Sequence, residues 1–409
     1  MKVVVTDADK ASGLAIIRSL GKQGLQIIAA SSNKRAIGFY SKYTTERLVY
    51  PLPTKNRSAF TKWILDMANE CKYDALIPVT DEFIVGTMEY RDEFEKKIML
   101  LMPENVSIMT ALDKLQTIRL AEELNIPAPR TYFFKNHEEL QNTISVVQFP
   151  AVLKGRYSVY IDSKGQIRKS RVFSYIYNQE ELIREYRSAI EKEDMPIIQE
   201  FVKGRGQGFL CLADKGNIVA SFMHRRVREI NPLGSGSSCA ESIELNPLLK
   251  EYAGNLLKKM NWHGVAMVEF KIEDLTNKPK IMEVNGRFWN SLPLAVKAGV
   301  DFPSLYWNLF NRKGIYNIDN YKVDIQCRFL EGEFIHLLHV LKGRPKNWRG
   351  YYPKRWETIK NVFNFWSRNT YCYNQCFDDL LPGIADIFYF PPRTIKTAIN
   401  KFLIKKKES

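Results

Sequence analysis

The spacing of apolar and polar positions switches between two periods along the first hundred residues. "KVVVTD" (Lys2 to Asp7) is an apolar run ending in polar residues, which predicts a buried strand. In "ASGLAIIRSLGKQG" (Ala11 to Gly24), Leu14, Ile17 and Leu20 recur at helical spacing before a glycine stop, and "LQIIAAS" (Leu25 to Ser31) returns to a strand. "TKWILDMANECKY" and "DALIPVT" repeat helix and strand, so residues 1–110 are expected to form a parallel α/β layer. Beyond them, "TALDKLQTIRLAEELNIPAPRTYFF" predicts a helix closed by "NIPAPR". "FPAVLKGRYSVY" then predicts a strand that carries Lys154 into a polar turn. "MPIIQEFVKGRGQGFLCLAD" adds an apolar run, an acid and three glycines at Gly204, Gly206 and Gly208, and hairpin-like strand pairs now dominate. An α+β architecture is expected for residues 111–310, in two subdomains of about 111–198 and 199–310.

Two of these strand-like runs carry the first chemical signal. "GVAMVEFKIED" (Gly264 to Asp274) and "KPKIMEVNGRF" (Lys278 to Phe288) are joined by a polar loop. Pairing them antiparallel about Thr276 places Glu269 opposite Glu283, with Asn285 two residues further on the same face and Arg287 two beyond that. Like charges directly opposite each other on a sheet are destabilising. A divalent cation would reverse the sign, since two carboxylates and a carboxamide oxygen are ligands that Mg²⁺ accepts beside water and phosphate. Arg287 would extend toward whatever that cation holds, by bidentate contact with carboxylate or phosphate. The other reading of the same residues is a solvated acidic strand face on which repulsion is weak.

Composition narrows the classes. The chain has 409 residues, 45% hydrophobic and 26% charged, which suits two or three globular units. A net charge of +15 points to anionic partners without choosing among nucleotide, nucleic acid and lipid. The six cysteines, Cys71, Cys211, Cys239, Cys327, Cys372 and Cys376, form no CxxC pair, so reduced thiols in a cytoplasmic protein are expected. The start of the chain has no signal-peptide pattern, and no apolar run approaches the roughly 20 residues that cross a bilayer. The first turn reads "TDADKASG" rather than G-x-G-x-x-G, which argues against a dinucleotide site. None of His137, His224, His263, His336 or His339 falls in a Ser/His/Asp or Cys/His arrangement, and His336 and His339 read as packing residues.

The pieces "LDKLQTIRLAEELNIPAPRT", "PAVLKG", "PIIQEFVKGRGQG", "HRRVREINPLGSGSS", "GVAMVEFK" and "IMEVNGRFWNSLPLAVKAGVDFP" stand in the order found in ATP-grasp enzymes. The chain resembles that superfamily from about Lys2 to Tyr306, and within it the carboxylate-amine ligases of carbamoyl-phosphate-synthase-like type. The resemblance implies a Rossmann-like pre-ATP-grasp domain followed by a two-subdomain ATP-grasp fold. It further implies ATP with Mg²⁺, or Mn²⁺ in its place, and metal ligands at Glu269, Glu283 and Asn285. By the same resemblance Lys114 and Lys154 contact ATP phosphates, Gln199, Glu200, Phe201 and Val202 read adenine, and Gln207 lies near the ribose. Arg226 and Arg228, beside the "NPLGSGSS" loop, and Arg287 would serve the triphosphate or an acyl phosphate. The implied reaction phosphorylates a small-molecule carboxylate and joins it to an amine, and similar ligases are often homodimers. Two departures stand out: Gly155 and Gly286 occupy positions where many relatives carry proline, which leaves the loop paths open.

From Asn311 onward the family motifs stop and 18 Lys and Arg face 9 Asp and Glu. Residues 311–409 are therefore expected to be a basic, aromatic-rich, mostly helical extension. Trp356, Ile359, Phe363 and Trp366 fall at helical spacing, as do Ile395, Ile399, Phe402 and Leu403 beside Lys396, Lys401, Lys405, Lys406 and Lys407. Such helices either pack their apolar face on their own domain or lie on an anionic membrane, here the inner membrane surface, and nucleic acid is the weaker partner reading. The alternative to a ligase is thus a non-catalytic nucleotide-binding module recruited to an anionic surface by its C-terminal region.

Overall fold

The computed structural model describes residues 1–170, 173–191, 196–314, 317–364 and 368–389. The first strand, Lys2–Val5, lies in the middle of a five-stranded parallel sheet, ordered Thr44–Val49, Gln26–Ser31, Lys2–Val5, Ala75–Ile77, Met99–Leu100. Val3, Val4 and Val5 are all fully buried because helices cover both faces of the sheet. The helix Ala11–Lys22 turns Leu14, Ile17 and Leu20 inward, as the spacing predicts. The second helix, Arg57–Asn69, is fixed at its start by the Asn56 side chain accepting from the Ala59 amide. Thr44–Val49 escapes the hydrophobic pattern because it is an edge strand with largely exposed side chains. The chain leaves the central strand toward one edge and returns to its other side, so the strand order reverses between Lys2–Val5 and Ala75–Ile77.

Two further sheets follow. A small one runs Phe173–Ile176, Ala151–Gly155, Pro196–Glu200, Thr131–Tyr132, and a seven-stranded one runs Pro279–Asn285, Gly264–Glu273, Gly204–Asp214, Asn217–Glu229, Ser237–Ser242, Gln326–Arg328, Thr370–Cys372. Alternation divides the large sheet's side chains between two cores. Phe209, Cys211, Met223, Val268 and Phe270 pack on one face with the helix Pro247–Lys259, while Leu210, Leu212, Phe222 and Met267 pack on the other with Phe288, Trp289 and the first unit. Each fully buried side chain of this size contributes roughly 1.5–3 kcal/mol. The small sheet has its own core of Ala151, Leu153, Ile176, Leu182 and Ile198.

The chain after Asn311 is not only helical. Gln326–Arg328 and Thr370–Cys372 complete the large sheet, alongside the helices Leu330–Lys342 and Arg355–Phe363 and a helical stretch at 380–389. Buried Glu333 fastens this region to the sheet: it accepts from Arg228 Nε at 2.9 Å and Nη2 at 2.7 Å, from Arg328 Nε at 3.1 Å, and from Ser238 Oγ at 2.8 Å. Asp379 then reaches back to the first unit, accepting from Arg18 Nε at 2.9 Å, Ser41 Oγ at 2.7 Å and the Lys42 amide at 2.9 Å. The expected stripe on Arg355–Phe363 does not face the core: Thr358 and Val362 are buried, whereas Trp356 and Phe363 are exposed. Trp366, Arg393 and the basic tail with Ile395, Ile399, Phe402 and Leu403 lie outside the described residues. No helix among the described residues is long and apolar enough to cross a membrane.

Candidate nucleotide and metal site

The hairpin of Gly264–Glu273 and Pro279–Asn285 sets Glu269 directly opposite Glu283, and the register shifts just beyond, between Glu269 and Phe270. The Asn285 amide stands between the two acids, its Nδ2 lying 3.2 Å from Glu269 Oε1 and 3.3 Å from Glu283 Oε1. On the neighbouring strand Gly208 pairs with Glu269 and Gly206 with Lys271. These glycines leave the acid face uncovered. A Cβ at Gly206 would come within 3.2 Å of Arg226 Cδ, and one at Gly208 would strike the His224 ring. Arg226 uses that space to reach the Glu269 carboxylate, and its other nitrogen bonds the Ser235 carbonyl at 3.0 Å. His224 on the same face is packing: Ser291 Oγ lies 3.1 Å from its Nδ1, and burial pushes its pKa down to about 3, so it is neutral.

Positive charge arrives from the other subdomain. Lys114 opens the helix Lys114–Glu123, capped by Asp113, and its Nζ donates to Ser158 Oγ at 2.8 Å. Lys154 stands on the cleft side of Ala151–Gly155 with no ion pair among the described residues. Burial pulls its pKa down to about 8, with Glu283 and Glu269 opposing and Lys114 and Lys271 reinforcing that shift. Burial alone would raise Glu283, but the Lys114 and Lys154 ammonium groups reverse the shift and hold it low. Glu269 moves the other way: burial raises it, the facing Glu283 adds to that, and Arg226 only partly offsets them. Two carboxylates and an amide thus share a face in which one acid is under-compensated. With the amide turned so that its oxygen, which here accepts from Arg287 Nη2 at 3.4 Å, joins the carboxylates, that donor set fits a hard cation whose remaining positions go to phosphate and water. Among the described residues there is no group of three or more His, Cys, Asp or Glu side chains suited to a metal, so the amide is needed to make up this set.

Arg287 faces the first unit, where its Nε donates to Asp81 Oδ2 at 3.1 Å. Asp81 follows the strand Ala75–Ile77, and the preceding Thr80 donates to Asp7 Oδ2 at 3.0 Å, beyond the end of Lys2–Val5. The acid hairpin therefore abuts the first sheet at its reversal of strand order, a position that favours ligand binding. Gly286 has a steric reason for lacking a side chain, since a Cβ there would overlap the Trp262 indole.

The four residues Gln199 to Val202 lead from the small sheet to the large one. Gln199 is buried and donates to Thr131 Oγ1 at 3.0 Å. Glu200 accepts from Lys280 Nζ at 2.8 Å, and the Val202 carbonyl accepts from Lys271 Nζ at 3.1 Å. Phe201 packs 5.6 Å from the Tyr175 ring.

Two expected residues are not brought to the acids. Gln207 lies between Gly206 and Gly208, so strand alternation turns it to the opposite face, with Arg225 and Phe270. Arg228 shares the inward face with Arg226 but is held bidentately by Glu333, which makes it an anchor of the C-terminal region. Sequence reasoning missed Ser158, Lys271, Tyr175 and Asp81. Only "PVTDEF", polar residues at the end of a parallel strand, carried a readable signal.

A family model described as "ATP-grasp in the biosynthetic pathway with Ter operon" matches residues 192–333. The chain is 23% identical over 201 residues to the carbamoyl phosphate synthase large chain of Archaeoglobus fulgidus, covering 47% of this chain but 18% of that protein. It is 26% identical over 221 residues to a probable alpha-L-glutamate ligase of Vibrio vulnificus, covering 52% of this chain and 68% of that one. Among solved structures, the biotin carboxylase domain of Hydrogenobacter thermophilus 2-oxoglutarate carboxylase, crystallised with MgADP and bicarbonate, matches 80% of this chain and 73% of its own with a TM-score of 0.62 at 19% identity. The L-amino acid ligase of Bacillus licheniformis matches 76% of this chain and 73% of its own with a TM-score of 0.58 at 14% identity. The paired acids, the facing lysines and the order of sheets accompany these likenesses: the chain is similar to the ATP-grasp family over residues 192–333 and, over about half its length, to a carbamoyl phosphate synthase large chain and a probable alpha-L-glutamate ligase, and it shares the fold of the solved structures.

Proposed function

We propose that the protein is an ADP-forming ligase that joins a small-molecule carboxylate to an amine, with ATP as phosphoryl donor. The observation that carries this reading is the facing of Glu269, Glu283 and Asn285 by Lys114 and Lys154 across one cleft, with Arg226 beside Glu269 on the same sheet and Arg287 just beyond Asn285. The family match, and relatives whose names describe ligases and synthases, support it. Glu269, Glu283 and Asn285 would hold Mg²⁺, which supplies charge neutralisation at the phosphates when bound.

The remaining chemistry falls to positioning. Lys154 and Lys114 bind phosphate oxygens, and their positive charge favours build-up of negative charge there. Gln199 to Val202 hold the adenine end. Arg287 orients the substrate carboxylate, one of whose oxygens attacks the γ-phosphorus while the bond to the β-phosphate oxygen breaks and ADP leaves. The amine then attacks the acyl carbon, inorganic phosphate departs and the amine's proton passes to solvent. No protein nucleophile is needed, because such transfer rests on alignment and electrostatic stabilisation. The carboxyl-end crevice of the first sheet, with Asp81 beside Arg287, is the acceptor side in this reading.

ADP release tests the proposal: purified protein with MgATP is incubated with pooled amino acids, amino sugars and small peptides. Pool-dependent ADP formation is expected. Tight MgATP binding without ADP release from any pool would instead support the non-catalytic nucleotide-binding module.

A further inference from the structure

We propose that Trp348, supplied by the chain beyond the ATP-grasp fold, is a positioning residue that forms the outer wall of the adenine end of the cleft and latches the small subdomain over it. This rests on the nucleotide reading of the cleft.

On the small sheet Val152 pairs with both Tyr175 and Gln199, while Lys154 pairs with Phe173 and Ile197. These residues share one face, because the alternate set Ala151, Leu153, Ile176 and Ile198 fills the subdomain's own core. Tyr175 is therefore on the cleft side, with the phosphate lysine. Its ring centroid lies 4.7 Å from Trp348 and 5.6 Å from Phe201, and Phe201 is 5.7 Å from Trp348. The Lys271 ammonium sits 5.7 Å from the Phe201 ring centroid. Three aromatic rings from three parts of the chain thus meet at the segment that joins the subdomains.

Trp348 is held from its own side. Its Nε1 donates to the Tyr351 carbonyl at 3.0 Å, Arg344 binds its carbonyl, and Gly350 lies so close that a Cβ would overlap the indole. The preceding helix, Leu330–Lys342, is fixed to the large sheet through Glu333 and through His336 Nδ1, 2.6 Å from the Glu229 carbonyl. The Tyr175 hydroxyl donates to the Leu233 carbonyl, in the loop whose Ser235 carbonyl binds Arg226. A purine presents a flat π-face that an aromatic wall can cover, whereas a bare polyphosphate does not. The wall therefore acts on nucleotides and not on their phosphates alone.

The test compares wild type, Trp348→Phe, Trp348→Leu and Trp348→Ala by calorimetry with MgADP and with magnesium tripolyphosphate, and by steady-state kinetics. Trp348→Ala is expected to weaken MgADP binding and raise the ATP KM about tenfold, with kcat within twofold and tripolyphosphate affinity unchanged. Trp348→Phe should restore affinity to within threefold. Trp348→Leu, which keeps an apolar filler, carries the test if the alanine variant does not fold. Wild-type MgADP affinity in folded Trp348→Ala or Trp348→Leu protein, or equal losses for MgADP and tripolyphosphate, overturns the wall. Absence of nucleotide binding by the wild type overturns the nucleotide reading itself.

Discussion

Lys154 offers an opposed pair of effects. Its ammonium is held on the cleft face with a pKa lowered from 10.5 to about 8, chiefly by burial. Keeping it charged at pH 7 in the ligand-free protein therefore costs on the order of 3 kcal/mol relative to the unfolded chain. A nucleotide phosphate recovers this through a charge-assisted bond worth about 1.5–3 kcal/mol. Lys154→Met keeps the length of the side chain and removes the charge. The ligand-free variant is expected to be more stable than wild type by about 1–3 kcal/mol, since losing the electrostatic attraction of Glu283 returns part of the gain. Its affinity for MgADP should fall by one to two orders of magnitude. The pH dependence has a defined sign. The folded pKa lies below the unfolded one, so the folded state binds fewer protons between pH 8 and 10.5, and ligand-free wild type should gain stability as pH rises through that window. Nucleotide binding favours the charged form, so above pH 8 it should take up a proton and weaken. Thermal melting with and without MgADP, and calorimetry in buffers of different ionisation enthalpy, measure both. A variant less stable than wild type without ligand, yet bound as tightly by nucleotide, would refute the reasoning.

Glu333→Gln should destabilise the protein by about 3–5 kcal/mol, because Arg228 and Arg328 are left buried around a neutral amide; urea titration measures it. Arg228→Lys should behave likewise as a stability variant with kcat within a few fold, whereas Arg226→Lys should lower kcat at unchanged melting temperature, and steady-state assays separate the two. Asp7 has a pKa raised to about 6, mainly by burial and then by Asp9, so the folded state binds the extra proton and stability should drop as pH rises from 4 to 6. Asp7→Asn should flatten that slope in melting curves taken across the window.

The register of Glu269 and Glu283 was legible because a hairpin is nearly symmetric about its turn, although a one-residue shift between Glu269 and Phe270, on the turn side of the acids, is what brings Glu283 rather than Met282 opposite Glu269. The parallel layer was legible from its continuous apolar runs, except for Thr44–Val49, whose exposed side chains carry no such run. Lys114, Lys154 and the linker came from motif resemblance, because a lysine at a helix start or strand end has no periodicity of its own. Arg228 misled because its partner Glu333 is 105 residues away. That Gln207 turns away from the acids was legible by alternation, since its glycine neighbours share the face of Glu269. Asp81, 206 residues from Arg287, enters the site only through the packing of two sheets. The strands Gln326–Arg328 and Thr370–Cys372 are three residues each, too short to show a period among basic and aromatic neighbours.

In the proposed function the acid hairpin holds a divalent cation against a nucleotide phosphate. Calorimetric titration with ADP, with and without Mg²⁺, for wild type and for the Glu269→Gln/Glu283→Gln double variant tests it most directly. Mg²⁺ should tighten ADP binding to the wild type by at least tenfold and leave the double variant unaffected, with metal-free ADP affinities similar in both proteins. An equal Mg²⁺ effect in both proteins, or none in the wild type, would contradict it.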